Sequence, residues 1–154
     1  MTASPTIHAS AVLIGAKAVL IRGPSGAGKS KLALALIEAA RNGVLPFARL
    51  VTDDRALVDA VHGRLIVRPP AELAGLLEVR GLGIRKLPYE PMAVIGLVAD
   101  LAAEDASRMP AHEAGTATIA GICLPRLAVA RGIDAAVPLL AWVTTGLWRD
   151  PAAN

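Results

Sequence analysis

The chain has 154 residues, of which 54% are apolar and only 3% aromatic, and it carries a formal charge of +3. That length suits one domain burying about two-thirds of the surface its unfolded form exposes, and a single α/β core accounts for residues 1–154. No apolar stretch reaches the ~18 uninterrupted residues of a membrane span, the scattered basic residues lack the aromatics of a nucleic-acid surface, and the single Cys123 excludes internal disulfides and thiolate clusters.

Met1-Thr2-Ala3-Ser4-Pro5 lacks the basic region of a secretory signal, and the apolar segment after it ends at Lys17, so a cytoplasmic protein is expected. Residues 11–14 and 17–21 read as strands around Gly15-Ala16. Gly23-Pro24-Ser25-Gly26-Ala27-Gly28-Lys29-Ser30 then satisfies every fixed position of the phosphate-binding pattern G-x-x-x-x-G-K-[ST]. Residues 31–40 are strong helix formers with Leu32, Leu36 and Ala39 or Ala40 on one face, and Arg41-Asn42-Gly43 ends the helix. The loop thus stands between strand and helix, as its chemistry requires. Its glycines let consecutive N–H groups turn inward on phosphate oxygens while the helix aims its unpaired amides at the anion. Lys29 supplies a mobile charge for the outer phosphates and Ser30 a hydroxyl for magnesium. The pattern names a nucleotide or phosphate ligand and leaves ATPase, GTPase and kinase open.

Residues 50–52 form the next strand, closed by Asp53-Asp54. In a phosphate-loop protein this is where a carboxylate reaches the metal or accepts a proton from an attacking hydroxyl. Adjacent side chains on a strand point to opposite faces, so both aspartates serve only if the strand has already become a turn. Residues 56–60 and 65–67 predict a hairpin across His62-Gly63, Pro69-Pro70 a break, and residues 71–74 a helical turn. Residues 76–79 and 93–98 are strands on either side of a glycine-rich connection, Gly81-Leu82-Gly83-Ile84. Alternation puts Glu78 and Arg80 on one face, a carboxylate for metal beside a guanidinium for phosphate oxygens. Residues 102–117 predict a loop, 118–124 a last strand with Cys123 as a buried reduced thiol, and 133–147 a closing helix despite Pro138.

His8, the phosphate loop, Leu50-Val51-Thr52-Asp53-Asp54 and Leu77-Glu78-Val79-Arg80-Gly81-Leu82-Gly83-Ile84 together resemble the catalytic domain of the bacterial HPr kinase/phosphorylase family. The last segment is nearly that family's signature, and the resemblance runs from about His8 to the closing helix. It implies an α/β, P-loop kinase fold related to phosphoenolpyruvate carboxykinase, with a mixed central sheet and flanking helices. It also implies ATP with Mg²⁺ and transfer of the γ-phosphoryl group to a seryl hydroxyl of HPr, the phosphocarrier of the sugar phosphotransferase system. In the reverse reaction inorganic phosphate attacks phosphoserine and releases pyrophosphate.

Carried over residue by residue, the resemblance gives Lys29 the phosphates and makes Ser30, Glu78 and Asp54 the metal set. The Asp53-Asp54 pair contains the proton acceptor, with Asp54 favoured. His8 orients a carboxylate, Arg80 belongs to the signature, and Arg108 matches the place of a later catalytic arginine. His62 and His112 are assigned to the surface. Few residues precede His8, which reads as a short form without the N-terminal domain. The relatives' Pro-x-Arg-Pro-Gly-Arg loop, tied to dephosphorylation, is replaced by residues 125–132, where Arg126 and Arg131 keep the charge but not the turn chemistry. A hexameric homo-oligomer is expected, with an HPr-type partner and neither nucleic acid nor membrane. A small-molecule kinase and a nucleotide-sensing module without transfer stand as alternatives.

Overall fold

The computed structural model describes residues 6–109 and 112–145. Runs of small and branched apolar residues form β1 (Thr6–Ile14) and β2 (Lys17–Arg22), which pair antiparallel about the expected turn with Ile14 opposite Lys17. The chain leaves β2 through the phosphate loop into α1 (Lys29–Arg41), whose Leu32, Ala33, Leu36 and Ile37 are buried. β3 (Ala48–Thr52) returns antiparallel to β1. β4 (Arg55–Val61) and β5 (Arg64–Arg68) make the hairpin across His62-Gly63, and Pro69-Pro70 leads into a 3-10 turn at Ala71–Leu73.

β6 (Leu76–Val79) was expected, but its partner was not. The supposed glycine-rich connection contains β7 (Gly83–Lys86), which pairs antiparallel with β6 in a separate two-stranded sheet. All four β7 residues are exposed, so no alternation of apolar and polar residues marks the strand. β8 (Ala93–Leu101) runs parallel to β2, and β10 (Ile122–Val129) parallel to β8. The single strand expected over 118–124 is instead the heart of a hairpin between β9 (Thr116–Ile119) and β10. The chain turns at Ala120 and Gly121, both at positive φ (50° and 79°), and Thr118 faces Cys123. Alanine carries no turn signal, which is why the apolar run hid the reversal. The same register overturns the expected burial of Cys123: it is exposed, and its neighbour Leu124 takes the buried face.

The loop over 102–117 includes a 3-10 turn, His112–Gly115, before β9 begins. The closing helix, α2 (Ala136–Thr144), starts later than expected: Ala135 is its N-cap with no side-chain cap, and the Asp134 carboxylate accepts the Ala136 N–H in the turn just before it. Pro138 then falls in the first turn, where a missing N–H costs nothing. Leu147, the expected end, lies outside the described residues. No helix among the described residues is long and apolar enough to cross a membrane.

Successive pairings of β1, β2, β8, β5 and β4 close into a five-stranded ring, with β3 added on β1 and β10 then β9 added on β8. One core, including Leu36, Leu50, Leu97 and Leu139, lies between the sheet and both helices. The other, including Leu20, Leu65 and Ile95, draws on strands alone. The sheet is therefore mixed as expected, and the core that includes both helices lies on one of its faces. Given the strand directions, the loops after β2, β3, β8 and β10 and the start of β1 gather at one edge, where ligands of open α/β sheets bind.

Candidate functional site

At that edge Gly26 and Gly28 adopt left-handed φ of 80° and 100° with open space where a Cβ would stand, so backbone shape and not room demands glycine there. Gly28 is the N-cap of α1, makes no side-chain cap, and is followed by no acidic residue in the first turn. The helix amides and the positive end of its dipole are left to an external anion. Lys29 is buried, and its ammonium donates to the carbonyls of Gly23 (2.8 Å) and Pro24 (3.2 Å), which holds the cation at the loop itself.

Beside the loop the chain leaves β3 in a tight turn. Asp54 takes a left-handed φ of 69°, a conformation aspartate tolerates, and the Arg55 N–H donates to the Asp53 carbonyl at 2.8 Å. Both carboxylates thereby reach the same neighbourhood. Asp53, only 6% exposed, accepts from the Ser10 hydroxyl at 2.7 Å, from the Ser30 hydroxyl at 2.8 and 2.9 Å, and from the Glu78 backbone N–H at 3.1 Å. Asp54 is exposed, with Oδ1 2.6 Å from Nε2 of His8. Fully buried Ser10 joins the two, since its oxygen also accepts the Asp54 N–H at 3.1 Å. Ser10 was not singled out in the sequence, although the signal is there: His8 and Ser10, two apart on β1, are the polar positions of one strand face.

Of the expected metal set, Ser30 meets Asp53 and not Asp54, whose carboxylate faces His8. Glu78 contributes its backbone N–H, and its side chain is exposed. Arg80, in the turn after β6, and Arg108 are exposed and make no hydrogen bond among the described residues. The alternation that placed Glu78 and Arg80 together ends at Val79, where β6 stops. Among the described residues no group of three or more His, Cys, Asp or Glu could hold a metal alone. A hydroxyl and one carboxylate on a phosphate loop nevertheless fit Mg²⁺, which binds one or two carboxylates and completes its shell with phosphates and water.

On the other flank of the loop a chain of charges ties three parallel strands. Arg22, the last residue of β2, grips Asp100 of β8 at 2.7 and 2.9 Å, and Arg126 of β10 donates to the same carboxylate at 2.6 Å. Arg126 also forks onto Asp105 (2.8 and 2.9 Å) and the Ala114 carbonyl (3.0 Å), anchoring both ends of the segment between β8 and β9. Burial alone would raise the Asp100 carboxyl, but hydrogen bonds from Arg22 and Arg126 outweigh it and hold it below the usual carboxylate range. The Arg126 hydrogen bond lowers Asp105 as well, and Asp105 and Asp100 in turn stabilise the Arg126 cation. Sequence alone showed Arg126 only as a retained charge, because its partners come from other strands.

The family model of the HPr Serine kinase C-terminal domain matches residues 1–88, more than half of the 154. Over 78 residues, 51% of this chain, the sequence is 44% identical to an HPr kinase/phosphorylase of Clostridium beijerinckii, and over 82 residues, 53% of the chain, it is 40% identical to one of Clostridium tetani. These matches span 24% and 25% of those relatives' lengths, so the chain corresponds to about a quarter of each. The solved structure of the HPr(Ser) kinase/phosphatase from Coxiella burnetii superposes with a TM-score of 0.69 at 26% identity, covering 88% of this chain and 85% of that one.

Proposed function

The chain belongs to the HPr Serine kinase C-terminal domain family, and from that membership we propose that it is a Mg²⁺- and ATP-dependent serine kinase acting on an HPr-type phosphocarrier protein. The observation that carries this reading is the division of labour between adjacent aspartates, with Asp53 against Ser30 of the phosphate loop and Asp54 against His8. In it, Lys29 and the amides of residues 23–30 bind the phosphates. Ser30 and Asp53, with Glu78 alongside, would hold magnesium, which neutralises charge on the phosphate oxygens. Asp54, held in orientation by His8, accepts the proton of the incoming seryl hydroxyl. In the phosphorolytic direction the same carboxyl, protonated, returns it as inorganic phosphate takes the phosphoryl group and pyrophosphate forms. Arg80 and Arg108 complete the site as phosphate contacts. Residues 1–154 are read as one catalytic domain of the P-loop kinase fold related to phosphoenolpyruvate carboxykinase, cytoplasmic and assembled as a hexamer.

Incubation with γ-labelled ATP, Mg²⁺ and candidate HPr proteins tests the reading. Label is expected on a serine of HPr, and a chase with inorganic phosphate is expected to release labelled pyrophosphate. Nucleotide binding with no label on any protein would overturn it.

A further inference from the structure

The segment between β8 and β9 leaves the sheet beside the phosphate loop, since the Leu101 carbonyl oxygen lies 3.1 Å from where a Cβ on Gly23 would stand. It turns away at Ala102 with φ of 53°, an uncommon conformation for alanine that the surroundings must hold. The Ala103 N–H then donates to the Val129 carbonyl of β10 at 2.9 Å. Asp105 and Arg108 follow, and Ala114 lies in the 3-10 turn before β9. Arg126, whose side chain is 13% exposed, reaches this segment at two points, with a fork on the Asp105 carboxylate and a hydrogen bond to the Ala114 carbonyl. Its Nε donates to Asp100, which in turn holds Arg22, the residue before Gly23.

We infer that Arg126 is a positioning residue for phosphoryl transfer: through Asp105 and Ala114 it fixes the segment that carries Arg108, and through Asp100 and Arg22 it ties that segment to the entry of the phosphate loop. The inference rests on the kinase reading above, in which Arg108 is a phosphate contact, and names what holds that contact in place. Arg108 is exposed and makes no hydrogen bond of its own among the described residues, so its place is set by the backbone that carries it. It stands three residues from Asp105 and five from Ala103, so an extended tether of about 10 Å becomes one of about 17 Å when the fork is lost. A guanidinium suits position 126 because its planar fork takes both oxygens of one carboxylate while Nε reaches a second, whereas lysine is a point charge. Arg22 and Arg126 against Asp100 and Asp105 leave the cluster electrically balanced, so the fork closes without an uncompensated charge.

Asp105→Ala opens the fork at an exposed residue and leaves the Arg126–Asp100 contact intact, while Arg126→Lys keeps the cation and cannot fork. With γ-labelled ATP, Mg²⁺ and the HPr protein that the wild type labels, each is expected to lower kcat about tenfold or more, the scale of a misplaced transition-state contact, with KM for ATP unchanged. The decisive readout is a cycle with Arg108→Ala: in that background Asp105→Ala is expected to cost no more than about twofold further, because the residue it misplaces is gone. An undiminished kcat in Asp105→Ala, or its full loss repeated in the Arg108→Ala background, would overturn the inference and leave the kinase reading standing, whether or not Arg126→Lys folds. An Arg108→Ala protein with wild-type turnover would overturn the inference and remove Arg108 from the site. A wild type that labels no HPr protein would overturn both the inference and the kinase reading.

Discussion

Ser10→Ala is the sharpest probe of how the two aspartates are held. The wild-type hydroxyl is fully buried, donates to Asp53 at 2.7 Å and accepts the Asp54 N–H at 3.1 Å. Alanine removes a hydrogen bond to a charged group, worth about 1.5–3 kcal/mol, and orphans an N–H whose desolvation costs roughly 1–3 kcal/mol. Asp54 is exposed, so the lower end applies to the second loss and the two together come to about 3 kcal/mol. For a domain of this length that lowers Tm by about 6–12 °C. Ser30→Ala is the control: it takes a donor from the same carboxylate but orphans no backbone group, so its Tm falls less while phosphoryl transfer is lost. Thermal unfolding followed by circular dichroism, with transfer measured on the same preparations, checks both variants. A Ser10→Ala protein melting within about 2 °C of the wild type, or a Ser30→Ala protein destabilised as much as Ser10→Ala, would refute the bridging role.

Lys29→Ala and Glu78→Ala are each expected to lower transfer at least ~10²-fold, the usual cost of losing one transition-state charge partner; near wild-type turnover of Glu78→Ala would remove it from the metal set. Asp54→Asn keeps the left-handed turn, since asparagine also tolerates positive φ, and is expected to abolish transfer while ADP binding persists by calorimetry. If Asp53→Asn alone gave that result, the two roles would be reversed. Asp100 is held below its ordinary value, so its stabilising contribution is complete above the unfolded pKa of about 3.9 and is lost as pH falls through the lower folded value. Melting curves from pH 7 to 2 should therefore fall more steeply below pH ~4 for the wild type than for Asp100→Asn, and equal slopes would remove Asp100 as the titrating group.

The elements nearest the phosphate loop were legible because their signals are local. A β-branched run, a fixed glycine spacing and a helix-forming stretch sit within residues 18–41, and the hairpin across His62-Gly63 announces itself by its own dipeptide. What escaped depends on partners far along the chain. β7 owes its existence to β6 rather than to an apolar face of its own, and the Ala120-Gly121 reversal is visible only once Thr118 is seen opposite Cys123. In the candidate site, the Asp53-Asp54 pair was evident but its division was not. That division follows from a turn that puts one carboxylate on Ser30 and the other on His8, 46 residues away in sequence. The Arg22–Asp100–Arg126 chain was hidden for the same reason: three strand ends meet only after the sheet has formed.

β1 changes allegiance partway along its length. Residues 6–8 are zipped to β4, and from Ala9 onward the strand is zipped to β2. The handover falls between His8 and Ser10, the two residues that touch the aspartates. Because β5 also pairs with β8, the β4–β5 hairpin is held on both edges, and substitutions in it are expected to shift the β1 segment that carries the imidazole. A screen for variants with altered turnover should find hits there that no contact map centred on the phosphates would flag.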